Sequence, residues 1–222
     1  MEVIFLRYEA VIFDLDGVIA DTAKFHYEAW KKIAEELGIY FDEKINESLK
    51  GVSRMESLEI LLKQSEKEYS QEQKNYFASK KNDYFKSMIQ KITPGDILPG
   101  SIELIKILKR YNVKLAVASA SRNANTVLEN LGIKSEFDYI VDAAKIVNVK
   151  PDPEIFLAAA ENLGVEPKKC VGIEDSVAGI EAIKRAGMFA IGIGDPTILK
   201  KADMVLEDLR YTQKIVKLVI GE

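Results

Sequence analysis

The stretch Ala10-Val11-Ile12-Phe13-Asp14-Leu15-Asp16-Gly17 sets four consecutive apolar residues ahead of two carboxylates and a glycine. An unbroken apolar run, unlike an alternating one, suits a central parallel strand covered on both faces. A strand ending near Phe13 delivers Asp14 to its carboxyl end, the edge where open α/β sheets place their ligand sites. Gly17 permits a sharp turn, and Asp16 then lies one short step beyond Asp14. Such a pair can mark a turn, a cation site or a helix cap. It can also divide chemical labour, with Asp14 as attacking carboxylate and Asp16 as proton carrier. The second role needs Asp16 protonated at the right moment, a state that burial and neighbouring anions would promote.

Outward from this stretch, further continuous apolar runs lie at residues 115–118, 170–173 and 190–193, with helix-like stretches at 101–110, 124–131, 154–162 and 176–186. Their alternation favours βαβ units around a parallel sheet over an all-helical fold. Residues 22–90 differ, with helical patterns at 25–37, 55–63 and 71–89 and no strong strand run. The expectation is an α/β fold: a Rossmann-like parallel-sheet core with an inserted α-helical cap domain. The core takes residues 1–20 and 95–222, the cap residues 21–94. Linkers fall near 18–21 and 93–99, where Thr93-Pro94-Gly95-Asp96 and Pro99-Gly100 read as connecting chain. Two bodies on two short links can close over a substrate as a lid does. Asp152-Pro153-Glu154 predicts a cap and a first-turn proline. Residues 3–6 could extend the first strand, pair at a sheet edge or fray.

A chain of 222 residues, 47% hydrophobic and 30% charged, has the make-up of a folded soluble protein with a substantial core. Its 35 acidic and 31 basic residues leave a net charge of -4, which offers no general attraction for nucleic acid or an anionic membrane, and neither is expected as a partner. The lone Cys170 cannot form an intrachain disulfide and leaves no cysteine cluster for zinc. No segment approaches the roughly 18 apolar residues of a membrane span, and the first residues do not read as a signal peptide. A cytoplasmic enzyme is expected, and a monomer, since the sequence has no coiled-coil seam.

Four segments in order, Asp14-Leu15-Asp16-Gly17-Val18, Ser119, Lys150-Pro151 and Gly172-Ile173-Glu174-Asp175, resemble the four motifs of the haloacid dehalogenase-like phosphotransferases. The resemblance implies that Asp14 is a nucleophile and Asp16 a general acid/base. It implies that the Ser119 hydroxyl and the backbone around Ala120 bind the transferring phosphate, as the amides ahead of a helix can. Ser121 or Asn123 could equally cap the helix that follows. Lys150, restrained by the proline after it, would neutralise nucleophile and phosphoryl group. Mg²⁺ would sit among Asp14, Asp175 and the Asp16 carbonyl, hard oxygen ligands that suit it, with Glu174 holding the metal or its water. An acidic pair ahead of Ser176 could alternatively serve a helix N-terminus.

The inserted segment is similar to that of the β-phosphoglucomutase family at Asp21-Thr22-Ala23, His26 and Trp30, at Gly51-Val52-Ser53-Arg54 with Ser57-Leu58, and at Lys81-Asn82-Asp83. That resemblance implies a reaction on small phosphorylated hexoses, with glucose 1,6-bisphosphate as activating intermediate. Arg54 would grip the phosphate farther from Asp14, joined by Ser121 and Asn123, through a guanidinium fork that can donate two charge-assisted bonds. Arg122 stands where the family pattern has lysine. His26 would donate to Asp16, and Lys81 would reach substrate hydroxyls or phosphate, while Trp30 reads better as cap packing than as a sugar platform. Two other readings use the same residues: a sugar-phosphate phosphatase, and a noncatalytic phosphate-ligand binder.

Overall fold

A computed structural model describes residues 6–222 of the chain. In chain order it has β1 (Ala10–Phe13), α1 (Ala23–Leu37), α2 (Glu43–Glu47), α3 (Arg54–Leu62), α4 (Gln71–Ile89) and α5 (Ser101–Arg110), then β2 (Lys114–Val117), α6 (Ala124–Asn130), β3 (Tyr139–Ile140), α7 (Glu154–Leu163), β4 (Cys170–Glu174), α8 (Val177–Arg185), β5 (Phe189–Ile193), β6 (Met204–Leu206) and α9 (Thr212–Ile220). The question of residues 3–6 lies outside the described residues except for Leu6, which packs against the main core.

The six strands form one sheet in the order β3-β2-β1-β4-β5-β6, and each neighbouring pair is parallel. β1 is buried throughout, as its unbroken apolar run predicts, and its side chains alternate between two layers. Val11 and Phe13 join a cluster with Leu104, Leu108, Val127, Ile215 and Val219, so α5, α6 and α9 cover that face. Ala10 and Ile12 join Phe156, Ala159, Ile180 and Ile183 of α7 and α8 on the other. The chain order reverses at β1, between β2 and β4, and such a switch point opens a crevice at the carboxyl ends of the strands. Asp14 sits there.

α1, α3 and α4 enclose a third cluster built on Trp30, Ile33, Leu58, Leu61 and Ala78. α4 also reaches the sheet's cluster through Phe85 and Ile89, which couples the helical layer to the core. The two connections run side by side: Leu98 N–H donates to the Ile19 carbonyl and Asp21 N–H to that of Asp96, both at 2.9 Å. The inserted helical cap over a Rossmann-like core is therefore present. Pro153 sits at the N-cap of α7 and not within its first turn, while Asp152 Oδ1 accepts from the Glu154 amide at 3.0 Å. The edge strands β3 and β6, and the short α2, have no counterpart in the sequence reading. Two or three half-buried residues leave too little pattern to detect. Among the described residues no helix is long and apolar enough to cross a membrane.

Candidate active site

Asp14 continues the β1 ladder by donating its amide to the Ile173 carbonyl, which places its carboxylate at the sheet edge with 4% exposure. Oδ2 accepts the Asp16 amide at 2.9 Å, and Oδ1 accepts the Lys150 ammonium at 2.6 Å. Gly17 lets the turn pass close to β4: it holds φ +83, and a Cβ there would lie 2.3 Å from Asp175 Oδ2.

Lys150 is 1% exposed and bridges Asp14 to Glu174 Oε2 at 2.8 Å. Burial works against its charge, but the two carboxylates prevail and hold the ammonium above its usual range. Burial also dominates at Asp14 and, with Glu174 and Asp16, outweighs Lys150 to raise its pKa to about 8. Asp175 is raised for the same first reason, then by Glu174 and Asp14.

Asp16 is the opposite case. Burial favours its neutral form, yet His26, the Thr22 hydroxyl bond and Lys81 prevail and lower its pKa to about 2. Its carboxylate accepts from the Thr22 hydroxyl and, at 3.3 Å, from Ser119 Oγ. His26 Nε2 lies 3.5 Å from Asp16 Oδ1, while Lys81 Nζ lies 2.8 Å from His26 Nδ1. Burial and then Lys81 lower the His26 pKa. Lys81 itself is lowered to about 7, by burial and then Arg54.

Asp14, Glu174 and Asp175 each present an oxygen within 4.8 Å of the others. Three hard oxygens around one point fit Mg²⁺, and burial with mutual carboxylate repulsion, which raises the pKa of Asp14 and Asp175, is what a bound cation would relieve. Glu174 is otherwise engaged, with Oε2 on Lys150 and Oε1 accepting the Ser176 hydroxyl at 2.7 Å. The acidic pair does not cap α8; Ser176 does, by accepting the Gly179 amide. The Asp16 side chain is bonded to Thr22 and Ser119 and is not one of the three clustered carboxylates.

One pocket of about 550 Å³ lies between cap and core. Asp14, Asp16, His26, Trp30, Lys81, Lys150 and Asp175 line it, as do Gly51, Val52, Ser53 and Arg54 from the cap and Ala120, Ser121, Arg122 and Asn123 from the core. Ser57 and Ser119 are not in that lining. Ser57 donates instead to the Leu49 carbonyl at 3.4 Å, and the Ser119 hydroxyl is turned to Asp16. Trp30 is 2% exposed and packs in the cap, with Lys81 Nζ 5.1 Å from its ring centre. Neither Ser121 nor Asn123 caps α6 through its side chain onto the helix: Asn123 Nδ2 donates across the cleft to Asn82 Oδ1 at 2.9 Å. Burial, then Arg122, lower the Arg54 pKa, so the two guanidinium groups sense each other. Gly51 seats the cap loop on the core, since a Cβ there would lie 2.2 Å from Ser176 Oγ.

Thr22, which enters the sequence reading only within Asp21-Thr22-Ala23, and Lys50, which does not enter it, also lie beside these groups. Thr22 is a fully buried hydroxyl beside the hinge, and Lys50 Nζ lies 4.0 Å from Asp175 Oδ2. For Lys50 the one available signal is its place next to Gly51; its neighbour Asp175 is remote in sequence.

A carboxylate at the switch point of a parallel sheet, served by a buried lysine and roofed by helices, defines the class as a capped enzyme of phosphoryl transfer. The chain belongs to the haloacid dehalogenase-like hydrolase family, whose model matches residues 8–187. It is 49% identical over 200 residues to the β-phosphoglucomutase of Bacillus subtilis, covering 89% of this chain and 88% of that one. It is 37% identical to the phosphorylated carbohydrates phosphatase of Thermotoga maritima, over 81% and 82% of the two chains. The crystal structure of β-phosphoglucomutase from Clostridium difficile superposes with a TM-score of 0.89 at 50% identity, covering 93% of this chain and 96% of that one.

Proposed function

We propose that this chain is a β-phosphoglucomutase, interconverting β-D-glucose 1-phosphate and glucose 6-phosphate through phosphorylated Asp14 and bound glucose 1,6-bisphosphate. The observation that carries the reading is a single pocket lined by two sets of groups suited to phosphate, here called its two poles. Asp14 and Lys150 form one, and Arg54 and Arg122, from cap and core, line the same cavity as the other. A phosphatase needs the first pole; an enzyme that holds one phosphate while transferring another needs both.

In the forward reaction Asp16, ionised in this arrangement, takes the proton of the sugar 6-hydroxyl as that oxygen attacks phosphorus on phosphorylated Asp14. The bond from phosphorus to Asp14 breaks, which restores the carboxylate and leaves the 1,6-bisphosphate bound. After the bisphosphate turns over, Asp14 attacks the 1-phosphate and Asp16 returns its proton to the departing C1 oxygen. Glucose 6-phosphate leaves, and Asp14 is again phosphorylated. Lys150 holds Asp14 and balances its charge, and His26 and Thr22 orient Asp16. The Ala120 backbone meets the transferring phosphate, joined by the Ser119 hydroxyl once it turns from Asp16, while Arg54, Arg122, Ser121 and Asn123 hold the other. Lys81 reads sugar hydroxyls, residues 51–53 close the cap on Ser176, and Trp30 and Ser57 support the cap. Asp14, Glu174 and Asp175, with the Asp16 carbonyl, would hold Mg²⁺, which offsets the repulsion between nucleophile and phosphate. The division into a core of residues 1–20 and 95–222 and a cap of 21–94 belongs to the same proposal.

The test supplies β-glucose 1-phosphate, Mg²⁺ and a trace of glucose 1,6-bisphosphate, and follows glucose 6-phosphate and inorganic phosphate together. Isomerisation with little free phosphate supports the mutase. Dominant phosphate release would favour a phosphatase, the activity named for the Thermotoga maritima relative.

A further inference from the structure

Glu154 opens α7, where a first-turn acid would be satisfied by the helix's own amino-terminal amides. Its carboxylate reaches back along the chain instead. Oε1 accepts the Val147 amide at 2.8 Å, and Oε2 accepts both the Asn148 backbone amide and its side-chain amide, each at 2.8 Å. These bonds, the Val147 amide first, hold the carboxyl below its usual range. They close the segment 147–154 into a ring that is tightened inside by the Asp152 amide on the Val149 carbonyl at 2.9 Å. Lys150 lies within that ring, and no helix or strand covers residues 141–153. The loop's conformation therefore sets where the Lys150 backbone lies, and Glu174 at 2.8 Å and the Phe156 ring at 5.0 Å receive the ammonium beside Asp14. Glu154 does not line the pocket.

We infer that Glu154 is a positioning residue for phosphoryl transfer: by clasping the Val147 and Asn148 amides it fixes the loop that holds Lys150 against Asp14. The inference rests on Asp14 as nucleophile and is indifferent to whether the acceptor is a sugar or water. Glu154→Gln keeps the side chain's size but turns an NH₂ group toward one of the two backbone amides, so at least one bond is lost and a donor meets a donor.

The experiment measures single-turnover phosphorylation of Asp14 by acetyl phosphate, which passes its phosphoryl group to the carboxylate and leaves as acetate. In Glu154→Gln the maximal rate should fall about 10- to 100-fold, as small misplacements of catalytic groups do. The half-saturating acetyl phosphate concentration should hardly change, and the thermal midpoint should stay within about 2 °C. An unchanged maximal rate overturns the inference, as does a loss that only mirrors a fallen thermal midpoint. A second readout needs no turnover: proton exchange at the Lys150 ammonium, followed by NMR, should accelerate in the variant. If the parent protein accepts no phosphoryl group, the proposed function fails, and the clasp is judged by this exchange alone. Acceleration sustains it, and unchanged exchange overturns it.

Discussion

Asn123, at the start of α6 in the core, donates its side-chain amide to Asn82 on the cap helix α4 at 2.9 Å, a direct polar tie across the substrate cleft. It joins the loop after β2 to the helix that carries Lys81, so cap position and phosphate-loop geometry are coupled through one bond. Asn82→Ala should raise KM for β-glucose 1-phosphate about 2- to 10-fold, the worth of one hydrogen bond. Because a looser cap admits water, phosphate released per isomerisation should rise as well. Steady-state kinetics with both products measured checks this, and an unchanged ratio of the two would remove the coupling.

Asp14 and Asp16 should fail differently. Asp14→Ala should abolish transfer and leave no acid-stable phosphate on the protein after rapid quenching. Asp16→Asn keeps the nucleophile but cannot carry a proton, so turnover should drop by about 10²- to 10⁴-fold. Phosphorylation of Asp16→Asn by acetyl phosphate should persist, because that donor's leaving group needs little protonation. Quenching with radiolabelled donor, followed by peptide mapping, separates the two cases.

Lys81 gives a stability signature with a definite sign. Its pKa is lowered from 10.5 to about 7, by burial and then by Arg54. Between those values the unfolded chain binds a proton that the folded chain does not, so this group's contribution to stability rises with pH across the window. Its cost is fully present below about pH 7. Lys81→Met should therefore be more stable than the parent near pH 6, by on the order of a few kcal/mol, and the gain should fade toward pH 10. Urea denaturation at a series of pH values measures it, and a gain that grows with pH would contradict the assignment.

Asp14, Glu174 and Asp175 predict a pH-dependent response to metal. Burial, then Glu174, raise the pKa of both Asp14 and Asp175, and a cation must displace the protons they retain. Mg²⁺ should thus raise the thermal midpoint more near pH 8 than near pH 6, with about 2.7 kcal/mol of stabilisation at a hundredfold excess over Kd. Asp175→Asn should lose most of that response. Chelation should stop turnover, and added Mg²⁺ should restore it; full activity in a verified metal-free sample would exclude the site.

Much of this was legible in the chain itself, because backbone propensity and apolar period are carried by residues within a few positions of each other. The run 10–13 read as a buried parallel strand, α4 and α5 kept the bounds their patterns predicted, and the missing strand signal in 22–90 marked the inserted helices. The carboxylate pair and the acidic pair at the end of β4 are legible because each closes an apolar strand run, whereas Lys150, ahead of Pro151, is picked out by its motif resemblance. Charge states and long-range partners were decided only by the tertiary structure. Lys150 reaches Asp14 across 136 positions, and the Asn82 and Asn123 side chains meet across 41. Asp16 becomes a strong acid because His26, Thr22 and Lys81 surround it, and Lys81 a weak base because it is buried near Arg54. An ionisable group's behaviour follows from the solvent it loses and the charges it gains, and both are properties of assembled space rather than of chain order.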